Sequence, residues 1–140
     1  MSASSTGPSA LSIDGLRARI VGRVIGPEDG DYDSARRVFY AGADHRPAAI
    51  VRVAGTADVT TVVGLARESG LELAVRSGGH SGAGHGTTDG GIVLDLGDMM
   101  GLEVDVAGRA AWAETGLTAA ELTAELSKHG LAVGFGDTGS

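Results

Sequence analysis

A short apolar strand, a capped helix and a second strand, followed at once by a glycine-rich run, constrain this chain more than any other feature of its sequence. Ile50 to Val53 reads as a buried strand. Thr56 stands at a helix-capping position. Val59, Val62, Val63 and Ala66 then share one helical face, and Gly70 supplies the stop. Leu71 to Val75 reads as the second strand. Short joints on both sides of the helix make this a βαβ unit, which predicts parallel strands with a right-handed crossover. Such units bind ligands beyond the carboxyl ends of their strands. At that place the sequence runs Arg76-Ser77-Gly78-Gly79-His80-Ser81-Gly82-Ala83-Gly84-His85-Gly86-Thr87-Thr88-Asp89-Gly90-Gly91.

Closely spaced glycines let backbone N–H groups converge on one point, a nest for an anion. Phosphate is the usual occupant, and Arg76, Ser77 and Ser81 add donors. No lysine or Walker spacing is present, and a strand rather than a helix follows, so this is not a P-loop. The competing reading is a long surface loop without a ligand. His80, His85 and Asp89 are the residue types of a two-histidine, one-carboxylate metal site. Their loop spacing fixes no geometry, so no metal is expected, and His85 is expected to be solvated. Gly134-Phe135-Gly136-Asp137-Thr138-Gly139 matches G-x-G-x-x-G, but the dinucleotide fingerprint must open a helix. Its glycines are read instead as a second close-approach loop.

Glycine accounts for 24 of the 140 residues, and nine of these lie from Gly78 to Gly101. The usual share is about 7%. Aromatic residues make up only 4%, so the core must be aliphatic. There is no cysteine, which excludes disulfides, thiolate metal sites and cysteine nucleophiles and suits a reducing, cytoplasmic setting. A net charge of −7 argues against nucleic acid or an anionic membrane as partner. No apolar run approaches the ~18 residues of a spanning helix.

Residues 1–10 read as a disordered tail. Ile13, Leu16 and Ile20 form a helical stripe ending at Gly22, Gly26 to Asp31 a loop, and Ala35 to Phe39 a short helix. Ile92 to Leu96 is a strand, and Leu102 to Val106 with Ala110 to Glu114 a hairpin. Thr118-Ala119-Ala120-Glu121 is a capping box opening a helix with Ala119, Leu122 and Leu126 on one side and Gly130 at its end. Leu131 to Phe135 reads as a last strand. Trp112 is expected in the core, Arg36, Arg37, Arg67 and Arg109 in solvent, and Met99 and Met100 in a gap beside the glycine run.

Ala74 to Ser81, then Gly84, then Ile92-Val93-Leu94-Asp95-Leu96 and Met99, resemble the flavin-binding segment of the FAD-linked oxidases. That family includes berberine bridge enzyme-like and 6-hydroxynicotine oxidase-like proteins. Tyr32 to Val38, Arg46 to Val51 and Gly130 to Gly139 resemble it as well, so the likeness runs from Leu11 to Ser140. The resemblance implies an α+β, PCMH-type FAD-binding domain with a βαβ start, small mixed sheets and flanking helices. Residues 11–140 would be its N-terminal portion, ending before a substrate domain. It implies FAD as cofactor, contacted by Arg76, Ser77, Gly78, Gly79, His80, Ser81, Gly84, Leu96, Met99, Asp137, Thr138 and Gly139. It implies His80 as the residue for a covalent link to the flavin 8α-methyl. Some relatives make a second link through cysteine where this chain has Thr138, so a doubly attached flavin is not expected. The implied activity is hydride transfer from a small organic substrate to FAD, with substrate-facing catalytic residues outside this chain. The alternative is a truncated, non-catalytic fragment or binding module. Neither the substrate nor an oligomeric state is specified.

Overall fold

Three parallel strands and one antiparallel strand make the main sheet. The computed structural model describes residues 11–40, 42 and 44–136. In chain order, α1 is Ile13–Arg17, β1 Arg23–Ile25, α2 Tyr32–Ala35, β2 Ala49–Arg52, α3 Thr56–Ser69, β3 Leu73–Arg76 and β4 Ile92–Asp95. The sheet order is β1-β2-β4-β3. β2 and β3 each pair in parallel with β4, so Val93 lies beside Ile50 on one side and Ala74 on the other. The expected parallel pair is therefore parallel but not in contact, because β4 lies between its members. All four residues of β4 are buried, as a strand covered on both faces requires. Side chains alternate across it. Ile92 and Leu94 join Val51, Val53, Val62, Ala66 and Leu16 in one core, and Val93 joins Ile25, Tyr32, Ile50 and Ala74 in the other.

β1 has no counterpart in the sequence reading. Val24 and Ile25 are buried, and β1 runs antiparallel to β2 with Val24 opposite Val51. Its entry is tight, since a Cβ on Gly22 would lie 2.1 Å from the Arg52 carbonyl oxygen. The first helix is one short turn, with Ser12 as its cap. α2 lies a turn earlier than Ala35 to Phe39, because the Tyr32 ring is buried and its hydroxyl donates to the Pro47 carbonyl at 2.7 Å. The cap of α3 is Gly55, and Thr56 is the first helical residue. Asp58, in the first turn of α3, instead ties the helix start to the segment that enters β1. Its carboxylate accepts from the N–H groups of Val21, Gly22 and Ala54 at 2.9, 2.8 and 2.9 Å. Gly70 ends the helix at φ +64°, as its position predicted. Val63 is 45% exposed, so the buried stripe is Val59, Val62 and Ala66.

The hairpin forms as expected, with β5 Leu102–Asp105 antiparallel to β6 Ala110–Ala113. α4, Ala119–Ser127, carries the full Thr118–Glu121 capping box. Trp112 corrects the expectation of a core residue, being 83% exposed. It sits opposite Glu103, whereas its neighbours Ala111 and Ala113 point to the other hairpin face, toward Leu122 and Leu126. Residues 131–136 form no strand; among the described residues the Leu131 N–H donates to the Leu126 carbonyl, which closes the end of α4. A strand needs a neighbouring ladder, and the only partner of β6 among the described residues is β5. Arg36 is also corrected. Its side chain is 12% exposed and pairs with Asp33 at 2.7 Å and with Asp44. Arg37, Arg67 and Arg109 are exposed, as expected. Met99 packs against the core, while Met100 is exposed. Among the described residues no helix is long and apolar enough to cross a membrane.

Candidate cofactor site

The glycine run leaves β3 at Arg76, and Arg76 determines where it goes. Its guanidinium gives two hydrogen bonds to one Asp95 oxygen, at 3.1 and 2.9 Å, and bonds the carbonyls of Ala35 and Arg37. The side chains of Arg76 and Asp95 are 7% and 10% exposed. The other Asp95 oxygen accepts from the Gly97 N–H at 2.9 Å. One buried ion pair thus ties the ends of β3 and β4, the turn after β4 and the segment after α2. The guanidinium expected to be a phosphate donor is spent inside the protein, so Arg76 is left to act by position.

Beyond it, Gly79 stands at φ +70° and Gly84 at +79°, conformations that favour glycine. The Gly79 carbonyl accepts from the Phe39 N–H at 3.2 Å. Among the described residues, none accepts a hydrogen bond from the N–H groups of Ser77, Gly78 or Gly79. The return of the run is stitched down. The Ser81 hydroxyl accepts from the His85 N–H, the Thr88 hydroxyl donates to Glu72 at 2.8 Å, and Gly90 donates to the Arg46 carbonyl. Asp89 accepts from the Arg46 N–H and pairs with His45 Nδ1, both at 2.7 Å. Those two contacts, the backbone one first, hold its carboxyl below the usual carboxylate range. Asp89 is therefore turned to His45. Among the described residues no cluster of three histidine, cysteine or acidic side chains could hold a metal.

Two cavities flank Ser77, Gly78 and His80. One, of about 210 Å³, reaches from Val75 to Ser81 and across to His85 and Gly86. The other, of about 320 Å³, is closed by Gly97, Thr115, Gly116, Leu117 and Thr118. Gly116 is forced there, since a Cβ would lie 2.6 Å from the carbonyl oxygens of Gly97 and Met99. Neither lining holds a carboxylate. A larger concavity, about 490 Å³, lies instead at Trp112. It carries Glu103 and Glu114, which oppose an anion, so the chemistry favours the smaller pair.

The linings suit a diphosphate-bearing cofactor: amides without an acceptor among the described residues, hydroxyls at Ser77 and Thr115, and no carboxylate. In the same run the buried Thr87 hydroxyl has no hydrogen-bond partner among the described residues. Residues 47–140 match the family model described as the FAD binding domain. The chain belongs to the FAD binding domain family. This FAD binding domain is 41% identical over 113 residues to (R)-6-hydroxynicotine oxidase of Paenarthrobacter nicotinovorans, covering 81% of this chain and 25% of that protein. It is 31% identical over 134 residues to berberine bridge enzyme-like 18 of Arabidopsis thaliana, covering 89% and 25%. The crystal structure of 6-hydroxy-D-nicotine oxidase from Arthrobacter nicotinovorans superposes with a TM-score of 0.76 at 40% identity, covering 79% of this chain and 24% of that one. The carbohydrate oxidase of Microdochium nivale does so with a TM-score of 0.78 at 27% identity, covering 89% and 27%. The chain thus spans about a quarter of the length of these relatives. Its fold is the α+β, PCMH-type fold of flavin oxidases, and the cofactor of the domain is FAD.

Of the residues expected at the cofactor, Ser77 to Ser81 line the cavities and Gly84 shapes the return of the run. Leu96 and Met99 pack on the core, and their carbonyl oxygens crowd Gly116 in the wall of the second cavity. Asp137, Thr138 and Gly139 lie outside the described residues. The sequence reading missed Gly97, Thr115 to Thr118 and Phe39. A glycine just past β4 and another past β6 were the available signals.

Proposed function

We propose that this chain seats FAD with its pyrophosphate on the backbone of residues 76–81, Gly84 close by, and Leu96, Met99, Asp137, Thr138 and Gly139 completing the contacts. The whole protein is then a flavin-dependent oxidase of a small organic molecule, in a cytoplasmic setting. The observation that carries this reading is the row of N–H groups at Ser77, Gly78 and Gly79, without an acceptor among the described residues, between two cavities without carboxylates. Fixed N–H dipoles stabilise a diphosphate with little reorganisation. FAD supplies a two-electron acceptor for a substrate hydride. Arg76 and Asp95 hold the two strand ends in register beneath it, and the Ser77 and Thr115 hydroxyls orient it. His80 is the residue for attachment to the 8α-methyl, since an imidazole nitrogen is a competent nucleophile. Thr138 offers no second attachment.

The test is acid precipitation of FAD-loaded protein. The flavin should stay with the polypeptide, in the peptide containing His80, and should be released from His80→Ala. An unmodified His80 peptide in fully loaded protein would refute the covalent part. A second reading, flavin binding without turnover by these 140 residues, draws on the same linings. Histidines are their only acid–base side chains apart from the committed Arg76.

A further inference from the structure

We infer that Phe39 is a positioning residue for His80: with Gly78 it forms a slot that sets the orientation of the imidazole presented to the flavin. The inference rests on the reading of His80 as the attachment residue and adds a residue that the reading does not use. Two contacts carry it. The rings of Phe39 and His80 meet edge to face, with centroids 4.8 Å apart and planes at 75°. On the glycine side, a Cβ placed on Gly78 would lie 2.7 Å from His80 Cε1 and 2.8 Å from Nδ1. The imidazole thus occupies the space that any side chain at residue 78 would need.

Phe39 is held independently of His80. Its N–H donates to the Gly79 carbonyl at 3.2 Å, and a Cβ on Gly79 would lie 3.6 Å from the Val38 backbone. The preceding carbonyls of Ala35 and Arg37 are bonded by Arg76. Tyr40 adds an edge-to-face contact on Phe39 at 5.2 Å. The Phe39 side chain contributes little to the core, because the residue is 61% exposed. An exposed aromatic ring anchored through its backbone to the loop it packs on is placed to orient a neighbour, not to stabilise the fold.

Orientation matters because attachment requires one imidazole nitrogen aligned with the 8α carbon. The step removes one hydrogen from the 8α-methyl and one from the imidazole N–H and forms the N–C8α bond. The flavin is left reduced by two electrons and two protons, which dioxygen takes up as hydrogen peroxide. Losing the ring contact lowers the population of the aligned imidazole, and with it the attachment rate, by about three- to tenfold.

The test uses the full 140-residue chain. In the absence of FAD, nuclear Overhauser spectra should show a strong contact between Gly78 Hα and His80 Hε1, lost in Phe39→Leu and kept in Phe39→Trp. After FAD is added, Phe39→Leu should attach flavin about three- to tenfold more slowly, with reversible affinity within about twofold of wild type. Phe39→Trp should attach it at close to the wild-type rate. Persistence of the Gly78–His80 contact in Phe39→Leu, or an unchanged attachment rate, would overturn the inference. A wild-type chain that shows the contact but never attaches flavin would refute His80 as the attachment residue and leave the orienting role of Phe39 supported.

Discussion

Gly79 is where a single side chain most directly separates backbone geometry from cofactor binding. At φ +70° it adopts a conformation that β-branched residues avoid, and its N–H is among the uncommitted groups of the nest. Gly79→Val should therefore lose FAD binding at concentrations that saturate wild type, with the far-ultraviolet circular dichroism unchanged. Fluorescence titration of FAD measures this, and unchanged affinity would remove the pyrophosphate from this loop. Asp95 makes the complementary case. Asp95→Asn leaves the buried Arg76 guanidinium without a carboxylate, and breaking such a pair costs about 3–5 kcal/mol. The urea midpoint should fall accordingly; a midpoint near wild type would mean that the pair is solvated in solution. Arg76 was legible as a residue of this region. Its role was not, because a guanidinium pairs with a carboxylate 19 residues away as readily as with a phosphate.

Among the elements, α3 and β1 depend on each other through Asp58. The residue is buried, which raises its pKa, but the N–H donors of Ala54, Val21 and Gly22 together outweigh burial and hold it below the ordinary value. A folded pKa below the unfolded one stabilises the protein fully above the unfolded value, about 3.9. That contribution is lost as pH falls through the folded value. Asp58→Asn should cost about 1–3 kcal/mol near neutrality, because a carboxamide offers one acceptor oxygen where two are used. The variant should also lose this part of the acid sensitivity. Urea unfolding at about pH 7 and about pH 3 separates the two effects, since the gap between wild type and variant should narrow at the lower pH. Equal midpoints near neutrality would show that Asp58 does not hold the two elements together. β1 was not legible because its three residues, Arg23 to Ile25, are too few for a period-two pattern. They become a strand only through the ladder to β2.

On the scale of the whole molecule, the hairpin face carrying Trp112 lies apart from both cores. Trp112 is the chain's one tryptophan and is 83% exposed, which makes it a clean reporter. Its emission should be that of a solvated indole, and acrylamide should quench it nearly as well as a free indole. Protection from quenching would show that another surface covers this face. The two cavities beside His80 lack a carboxylate base, so FAD added to the 140-residue chain should yield no hydrogen peroxide with alcohols, sugars or amines beyond the single equivalent per flavin released on attachment. Turnover that depends on flavin and disappears in His80→Ala would overturn that expectation.

The sequence alone determined the features set by local chemistry. The Thr118–Glu121 capping box, the Gly70 stop, the hairpin and the parallel direction of β2 and β3 were all legible, because each rests on residues close together in the chain. The flavin resemblance was legible for a similar reason, since it rests on a contiguous run, Ala74 to Ser81, and on short motifs near it. Tertiary structure alone decided what depends on distant partners. It inserted β4 between β2 and β3 and turned Trp112 outward. It also turned Arg76 inward to Asp95 and brought Phe39 against His80. Sequence spacing records the helical and strand periods, but not which of several apolar strands occupies the centre of a sheet or which buried acceptor a long side chain reaches first.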